Sequence, residues 1–372
     1  VQAILEVQCD DPNGPALLFD EQQLIPQNPS QLNSTYFDEI YHARTAWEHK
    51  NGMSPYEVTH PPLGKIIIML GISLFGMTPF GWRVAGAVFG ILMVPMVYYL
   101  ARQLLRSGKF AFVAAFMMCW DFMHFAQTRI ATIDVFAVFF ILCMYYCMAR
   151  YLRLSHPEAD RRKRALWLAL CGISFGLGAA TKWTCIYAGA GLAVLFFIDL
   201  GIGLRQFALA RREAAPPAWT KGYWKALWLR LAWCVVFFIL VPAGIYVASY
   251  APYMLDGRFD LNVVLENQRY MLSYHTQLVD DHFFKSPWYE WPLIIKPIWF
   301  YMNNYLPEGQ MGSIASFGNP AVWWVGLAAI LALAVRVVRR RAGCWQDWFI
   351  VIGFLAQFLP WVLVPRSTFI YH

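Results

Sequence analysis

Long apolar segments separated by short polar loops dominate the chain from residue 80 onward. An α-helix needs about 20 apolar residues to cross a hydrocarbon core roughly 30 Å thick. The segments lack the alternation of barrel strands, so helices must satisfy their backbone polar groups in lipid. The pattern therefore predicts an all-α polytopic membrane protein. Its predicted membrane helices are 80–102, 110–127, 131–149, 165–181, 183–204, 226–250, 319–335 and 346–364.

A shorter apolar segment at 64–77 precedes these helices. It is too short to span the core comfortably, which predicts a helix that lies at the membrane interface or re-enters. The segment belongs to the first of two large loops predicted on one side of the membrane. The expected organisation is a segment of unknown role (1–35), a first outer loop with candidate catalytic acids and the interfacial helix (36–79), membrane helices (80–250), an outer loop (251–318), and membrane helices with the start of a further outer loop (319–372).

The distribution of basic residues predicts which loops lie on the cytoplasmic side of the membrane. Apolar residues make up 59% of the 372 residues and charged ones only 14%, and the net charge is +7. Lys and Arg accumulate in cytoplasmic loops, and here they form four clusters that all fall on one side of the predicted helices: 102–109, 150–164, 205–225 and 336–341. We therefore interpret the positive charge as a topology signal and not as a nucleic-acid site. The other side is predicted to be extracytoplasmic. Because the sequence starts without Met and both of its ends are predicted outside, truncation at both ends is expected.

Ionisable side chains gather at the predicted outer ends of the helices. Such a group inside a membrane segment is a functional candidate by default, although snorkelling or mutual ion pairing is an alternative for each one. Of the neighbouring acids in the first outer loop, either could instead cap the helix that follows. The candidates are Asp38 and Glu39 in the loop, His60 and Lys65 around a Pro-Pro pair, and Arg83, Arg129, Asp134 and Lys182 near helix ends.

The second outer loop and the end of the chain add aromatic and basic candidates. Tyr41, Trp288 and Trp291 are candidates for stacking on a sugar or on an acceptor, although aromatic side chains are also ordinary at a membrane interface. His275 and Arg366, together with His372, are expected to line the same site. The spacing of His275 and His282 around Asp280 and Asp281 is too loose to favour a metal site, so no metal and no other cofactor are expected.

Several motifs in this order resemble the protein O-mannosyltransferase family of the GT-C glycosyltransferases, in its bacterial form. They are YFDEIYHARTAWE, HPPLGK, GWR, TRIATIDVF, ATKW, SPWYEWPL, GNPAVWW and PRSTFIYH, and they cover residues 36–372. The resemblance implies a GT-C transmembrane helix bundle, a polyprenyl-phosphate-mannose donor, and transfer to Ser or Thr hydroxyls of exported polypeptides. It also implies that Glu39 holds the acceptor peptide. The family's first helix and last helices have no counterpart here, and residues 1–35 match no part of the family.

The chemistry of such a transfer accounts for the residue types. A hydroxyl is a weak nucleophile, so a carboxylate that accepts its proton assists attack on the sugar carbon with inversion; Asp38 is our candidate base. Fixed cations stabilise the departing lipid phosphate without a metal, which suits Arg83, Lys182 and Arg129, with Asp134 orienting one of them. Two alternatives stay open: transfer of another lipid-linked sugar to a lipid or glycan, and a multi-pass transporter or flippase. The oligomeric state is also open.

Overall fold

The computed structural model describes residues 26, 28–156, 158–255, 257–277, 282–340, 344–364 and 368–371. Most of the predicted segment 1–35 lies outside these residues. The first half contains the helices α1 (Glu39–Lys50), α2 (Leu63–Phe75), α3 (Pro79–Leu105), α4 (Gly108–Cys119), α5 (Phe122–Gln127), α6 (Asp134–Arg153) and α7 (Arg161–Thr181). The second half contains α8 (Cys185–Ala210), α9 (Tyr223–Val235), α10 (Val241–Ala248), α11 (Leu261–Gln277), β1 (Ile298–Asn303), β2 (Gly312–Ser316), α12 (Pro320–Arg340) and α13 (Trp345–Phe358).

The described residues include seven helical segments that are long and apolar enough to cross a membrane. The prediction of a multi-pass helical membrane protein is therefore confirmed. The seven segments are Pro79–Leu105, Asp134–Arg153, Arg161–Thr181, Cys185–Ala210, Tyr223–Tyr253, Pro320–Arg339 and Trp345–Leu363. Within the fifth, a π-helical turn (Val236–Leu240) joins α9 to α10. Pro242 follows this turn and has no amide hydrogen to donate, which accounts for the irregular backbone at this point.

The prediction of one continuous helix over 110–127 is wrong, because the chain breaks at Trp120 and Asp121 into α4 and α5. The carboxylate of Asp121 accepts hydrogen bonds from the backbone N–H of His124 at 3.0 Å and from the indole N–H of Trp323 at 2.8 Å. It thus begins a new helix and fastens it to the start of α12. A hydropathy pattern misses this break, since the surrounding residues are apolar on both sides.

Helix α6 lies at the centre of the bundle and packs against α3, α7 and α8. Its buried side chains include Met144, Met148 and Tyr151, which contact Leu168 of α7 and Leu192 of α8 within one apolar cluster. Asp134 begins α6 and Tyr151 is near its other terminus, so we call the two ends of the bundle the Asp134 end and the Tyr151 end. A rise of about 1.5 Å per residue separates these ends by roughly 25 Å.

The predicted short helix is present as α2, which packs on α1 and α3 at the Asp134 end. Two glycines allow this close approach. A Cβ atom on Gly71 would lie 2.4 Å from the carbonyl oxygen of Gly81, and one on Gly64 would lie 2.6 Å from the Cγ2 atom of Ile133. The Gly of HPPLGK therefore brings the start of α2 against the turn that precedes Asp134.

The loop between α10 and α12 contains a helix and a hairpin in the region predicted only as an outer loop. Strands β1 and β2 pair antiparallel, with a register irregularity between Trp299 and Tyr301. The ring of Phe300 stacks on Phe37 at a centroid distance of 4.3 Å. Phe37 has a φ of 51°, so the chain turns sharply there before α1 begins. The hairpin therefore supports the segment that places the two neighbouring acids.

Candidate active site

Glu39, the first residue of α1, is the most deeply buried acid of the predicted site. It is fully inaccessible to solvent, yet its carboxylate accepts hydrogen bonds from Arg83 Nε at 2.9 Å and from the indole N–H of Trp82 at 3.0 Å. The backbone N–H of Ala131 also donates to it. Burial raises the pKa of Glu39, while Arg83 and Trp82 oppose this effect. Glu39 thus connects α1 to α3 and to the turn before α6.

Arg83 is fully engaged by these contacts and by the chain that leads into α1. Besides Glu39, its guanidinium donates to the backbone carbonyl oxygens of Gln31 and of Ser34, the latter at 3.0 Å. Its guanidinium also lies 5.1 Å from the ring centroid of Tyr36. A guanidinium with these partners holds Glu39 and the chain before α1 in place. This geometry favours a structural role for Arg83 over the predicted contact with a donor phosphate.

Asp38 occupies the N-cap position of α1, but its side chain accepts no capping hydrogen bond there. The geometry therefore does not support the alternative that the Asp38 side chain caps α1. Burial and the nearby carboxylates of Asp134 and Glu57 raise the pKa of Asp38 to about 7, although Lys182 acts in the opposite direction. A carboxyl group with this pKa is suited to exchanging a proton near neutral pH.

Lys182 and Asp134 form an ion pair at the point where two membrane helices meet. Helix α7 ends at Thr181, and the extended backbone of Lys182 directs the chain away from it. The Lys182 ammonium lies 2.5 Å from a carboxylate oxygen of Asp134 at the start of α6. Both side chains are largely buried. The structure therefore brings together two predicted site residues that are separated by 48 positions in the sequence.

Glu57 organises the HPPLGK segment and was missed by the sequence analysis. Its carboxylate lies 2.6 Å from the Lys65 ammonium, which also donates to the carbonyl oxygens of Glu57 and His60, both at 2.9 Å. The backbone N–H of Glu57 donates to Thr45 Oγ1 of α1 at 2.9 Å. Although burial acts to raise it, Lys65 and His60 hold the pKa of Glu57 well below its usual range. A signal was present, because a lysine at the start of an apolar helix requires a partner once it is buried.

Lys65 itself is fully buried beneath this network. Its three ammonium hydrogens match three acceptors, namely the Glu57 carboxylate and the two carbonyl oxygens. The geometry therefore favours a supporting role for Lys65, where the sequence predicted a contact with the donor headgroup.

His275 of α11 contacts the loop that contains Glu57 and His60. His60 Nδ1 lies 3.2 Å from the Glu57 carboxylate, and the ring of His275 lies 5.3 Å from that of His60. His275 Nε2 also lies 2.8 Å from the carbonyl oxygen of Thr59. Burial lowers the pKa of His60, although Glu57 opposes this, and burial lowers the pKa of the neighbouring His42 to about 3. The His42 ring is therefore neutral at physiological pH.

A cavity of about 380 Å³ opens beside these groups. This cavity provides the space in which these side chains could contact a substrate. Three predicted residues line it, namely His60, Lys182 and His275. Further walls come from Trp183, Tyr187 and Trp361. Asp38 is not among the lining residues, but Lys182, which lines the cavity, acts to lower the pKa of Asp38, so the two side chains interact electrostatically. A largely apolar cavity with aromatic walls, two histidines and a cation has the chemistry to hold a sugar phosphate.

The remaining predicted residues are dispersed around the cavity. Arg129 is exposed and lies 4.7 Å from the ring centroid of Phe125, and it makes no ion pair with any residue that the structure describes. Tyr41 is exposed and stacks on Tyr56 at 6.2 Å. Trp291 is buried against Trp361, and Trp288 packs on Phe358. Arg366 and His372 lie outside the described residues.

Within the described part of the chain, no group of three or more His, Cys, Asp or Glu side chains is arranged to hold a metal ion. Asp280 and Asp281, the acids of the weaker metal hypothesis, lie outside that part. The expectation that no cofactor takes part stays a prediction.

Two family models match the chain in succession. Residues 77–255 match dolichyl-phosphate-mannose-protein mannosyltransferase, and residues 261–372 match the C-terminal four-helix transmembrane region of protein O-mannosyltransferase. A polyprenol-phosphate-mannose–protein mannosyltransferase of Mycolicibacterium smegmatis is 27% identical over 93% of this chain and 74% of its own. The protein of the same name from Mycobacterium tuberculosis is 23% identical over 90% of this chain and 72% of its own.

Solved structures show the same fold. The S. cerevisiae protein O-mannosyltransferase Pmt1-Pmt2 complex bound to the sugar donor matches with a TM-score of 0.72 and 12% identity, covering 96% of this chain and 81% of that one. The oligosaccharyltransferase of Archaeoglobus fulgidus in the apo form matches with a TM-score of 0.51 and 15% identity, over 94% of this chain and 46% of that one. The predicted GT-C helix bundle is therefore confirmed.

Removing the charge of only one partner of the Glu57–Lys65 pair is expected to destabilise the protein. Glu57→Gln leaves a fully buried ammonium without a carboxylate, which costs about 3–5 kcal/mol. The double variant Glu57→Gln/Lys65→Met removes both charges and should recover most of that loss. Thermal unfolding of the purified protein in detergent measures both effects. Glu266→Gln makes the same chemical change at an exposed position of α11 and should be nearly neutral; a double variant as unstable as the single one would contradict the pairing.

Proposed function

Because the chain belongs to the protein O-mannosyltransferase family of GT-C glycosyltransferases, we propose that it transfers mannose from a polyprenyl-phosphate-mannose donor to Ser or Thr hydroxyls of polypeptides. The observation that carries the proposal is the carboxyl group of Asp38, which makes no capping hydrogen bond, has a pKa of about 7 and interacts electrostatically with Lys182, a lining residue of the cavity that also contains His60 and His275. The mycobacterial relatives bear the name of this activity.

In this mechanism Asp38 acts as the general base. The acceptor oxygen attacks the anomeric carbon of mannose as the bond from that carbon to the phosphate oxygen breaks, which inverts the configuration. Asp38 accepts the hydroxyl proton, and the electron pair of the broken bond leaves with the polyprenyl phosphate. Glu39 and Arg83 contribute by fixing the start of α1, since they pair with each other and Arg83 also donates to the carbonyl oxygen of Ser34.

Cations assist departure of the phosphate. Lys182 lines the cavity, and its pairing with Asp134 fixes the ammonium in one place. Arg129 is exposed near the same end of the bundle, and it is a second candidate for the phosphate oxygens. Preorganised positive charge in a site of low dielectric stabilises the growing negative charge of the leaving group. Tyr41, Trp288 and Trp291 stay candidates for contacts with the acceptor or the sugar.

We further propose that the Asp134 end faces the outside of a bacterial cell membrane. Basic residues cluster at the opposite end, as expected for cytoplasmic loops. An outward-facing site gives access to polypeptides during or after their export. The acceptors are then exported proteins.

The first test is transfer itself, with Asp38→Asn as the decisive variant. Purified protein supplied with polyprenyl-phosphate-mannose and a peptide rich in Ser and Thr should yield mannosylated peptide, detected by mass spectrometry. Asp38→Asn keeps the size of the side chain but removes the proton acceptor, so turnover should fall by roughly two to four orders of magnitude.

Asp160→Asn is the matched control for that variant. Asp160 caps α7 through hydrogen bonds from the backbone N–H groups of Arg162 and Lys163, and Asn caps about as well as Asp. This control should keep its turnover. Near-normal turnover of Asp38→Asn would rule out Asp38 as the base, while mannose transfer only to a lipid or glycan would favour the alternative transferase.

The pH dependence of kcat/KM provides a second test of Asp38. A base accepts a proton only in its deprotonated form, and the pKa of Asp38 is about 7. Activity should therefore be lost as the pH falls through about 7 and should reach a plateau above it. The residual activity of Asp38→Asn should lack this acidic limb. An unchanged limb in the variant would assign the titration to another group.

Orientation can be tested with single cysteines in a background without the native ones. A cysteine at Glu308, in the exposed turn between β1 and β2, should react in intact cells with a thiol reagent that cannot cross membranes. A cysteine at Arg162, at the start of α7 on the Tyr151 end, should react only after the membrane is opened. The reverse pattern would place the site in the cytoplasm and exclude exported acceptors.

A further inference from the structure

A second, smaller cavity lies at the Tyr151 end of the bundle, far from the candidate active site. It sits among the ends of α6, α7, α8 and α9 and has a volume of about 70 Å³. This exceeds the roughly 15 Å³ that a single water needs, so a small polyatomic group fits. The mechanism proposed above uses none of its residues.

Positive charge dominates the walls of this cavity. Arg161, Arg164 and Arg230 line it, and Asp199 is the one acid among its described lining residues. Arg164 and Arg230 share this carboxylate at N···O distances of 3.7 and 3.5 Å, which are longer than direct hydrogen bonds. Arg161 is exposed and makes no ion pair with a described residue. Because each guanidinium carries five N–H donors, the site holds a surplus of both charge and donors.

The hydroxyl of Ser155 gives independent support for a ligand site in this cavity. Its Oγ atom is buried at the cavity wall and has no hydrogen-bond partner within the described structure. Buried polar atoms are nearly always satisfied. The Tyr151 hydroxyl, by contrast, already donates to Asp199 at 3.2 Å. An acceptor-rich group in the cavity would accept from Ser155 and from the arginines together.

The outer flank of the cavity is apolar and exposed on the surface of the helix bundle. Leu229 lines the cavity and is 43% exposed, and Trp224 and Trp228 of the same helix are 53% and 67% exposed. Aromatic side chains of this kind mark the membrane interface. A ligand held by the arginines would therefore extend its remainder along α9 into the hydrocarbon region.

From these features we infer that the Tyr151 end carries a binding site for the phosphate headgroup of an anionic phospholipid. The guanidinium groups of Arg161, Arg164 and Arg230 bind the phosphate oxygens, Ser155 donates one further hydrogen bond, and the acyl chains lie along the exposed face of α9. Basic cavities between membrane helices at the cytoplasmic side are suited to such headgroups. The site anchors α7 and α9 to the lipid leaflet at this end.

Native mass spectrometry of the intact, delipidated protein tests the site without reference to catalysis. Phosphatidylglycerol should bind more tightly than phosphatidylcholine, whose headgroup has no net charge. Each arginine near a membrane surface is worth about fivefold in affinity for anionic lipid. Arg161→Gln should therefore weaken phosphatidylglycerol binding about fivefold, and Arg161→Gln/Arg230→Gln roughly thirtyfold.

The controls separate this site from general charge effects. Arg161 forms no ion pair within the described structure, so its single variant leaves the Asp199 pairs intact and tests the site even if the double variant does not fold. Arg339→Gln removes an exposed arginine from the end of α12 and should bind phosphatidylglycerol like the wild type. Equal binding of both lipids, or wild-type binding by Arg161→Gln, would overturn the inference. Equal thermal stabilisation by inorganic phosphate and by phosphatidylglycerol, at matched concentration and ionic strength, would overturn the lipid assignment.

Discussion

The buried ion pair between Glu57 and Lys65 is the interaction on which the arrangement of the candidate active site depends. Lys65 lies in the first turn of an apolar helix and has no access to water, so its charge is tolerated only because the loop before it folds back to supply a carboxylate and two carbonyl oxygens. That loop then contacts α1 through Thr45 and α11 through His275 and Asn267. One electrostatic requirement thereby joins three segments that are distant in sequence.

The need to pair a buried charge divides the charged residues of the site into two groups. Arg83 with Glu39, and Lys182 with Asp134, satisfy each other in surroundings where an unpaired charge is costly. Asp38 stands outside these pairs, and its raised pKa follows from burial near other carboxylates. The paired residues fix positions, whereas the Asp38 carboxyl group, which forms no ion pair with a residue that the structure describes, is suited to exchanging a proton. This is the physical basis for assigning different roles to the neighbours Asp38 and Glu39.

Charge has different uses at the two ends of the bundle. At the Asp134 end, Lys182, His60 and His275 line a cavity of about 380 Å³, and the carboxylates of Asp134 and Glu57 contact Lys182 and His60. At the Tyr151 end, three arginines surround one aspartate in a much smaller cavity. The apolar cluster built on Met144, Met148 and Leu192 separates them. The proposed lipid site and the proposed transfer site can therefore act independently, because no polar path through this cluster connects them within the described residues.

The sequence alone determined the membrane class and most helices, because hydropathy and local motifs are properties of contiguous residues. Asp38, Glu39, Lys182 and Asp134 were identified from their types and from their places near helix ends. Pairing was decided only by the tertiary structure, since partners such as Glu39 and Arg83 are 44 positions apart and meet through helix packing. For the same reason Glu57 was missed, and Lys65 and Arg83 received roles that their geometry does not favour. The break at Asp121 was equally hidden, because the groups that stabilise it lie about two hundred residues further along the chain.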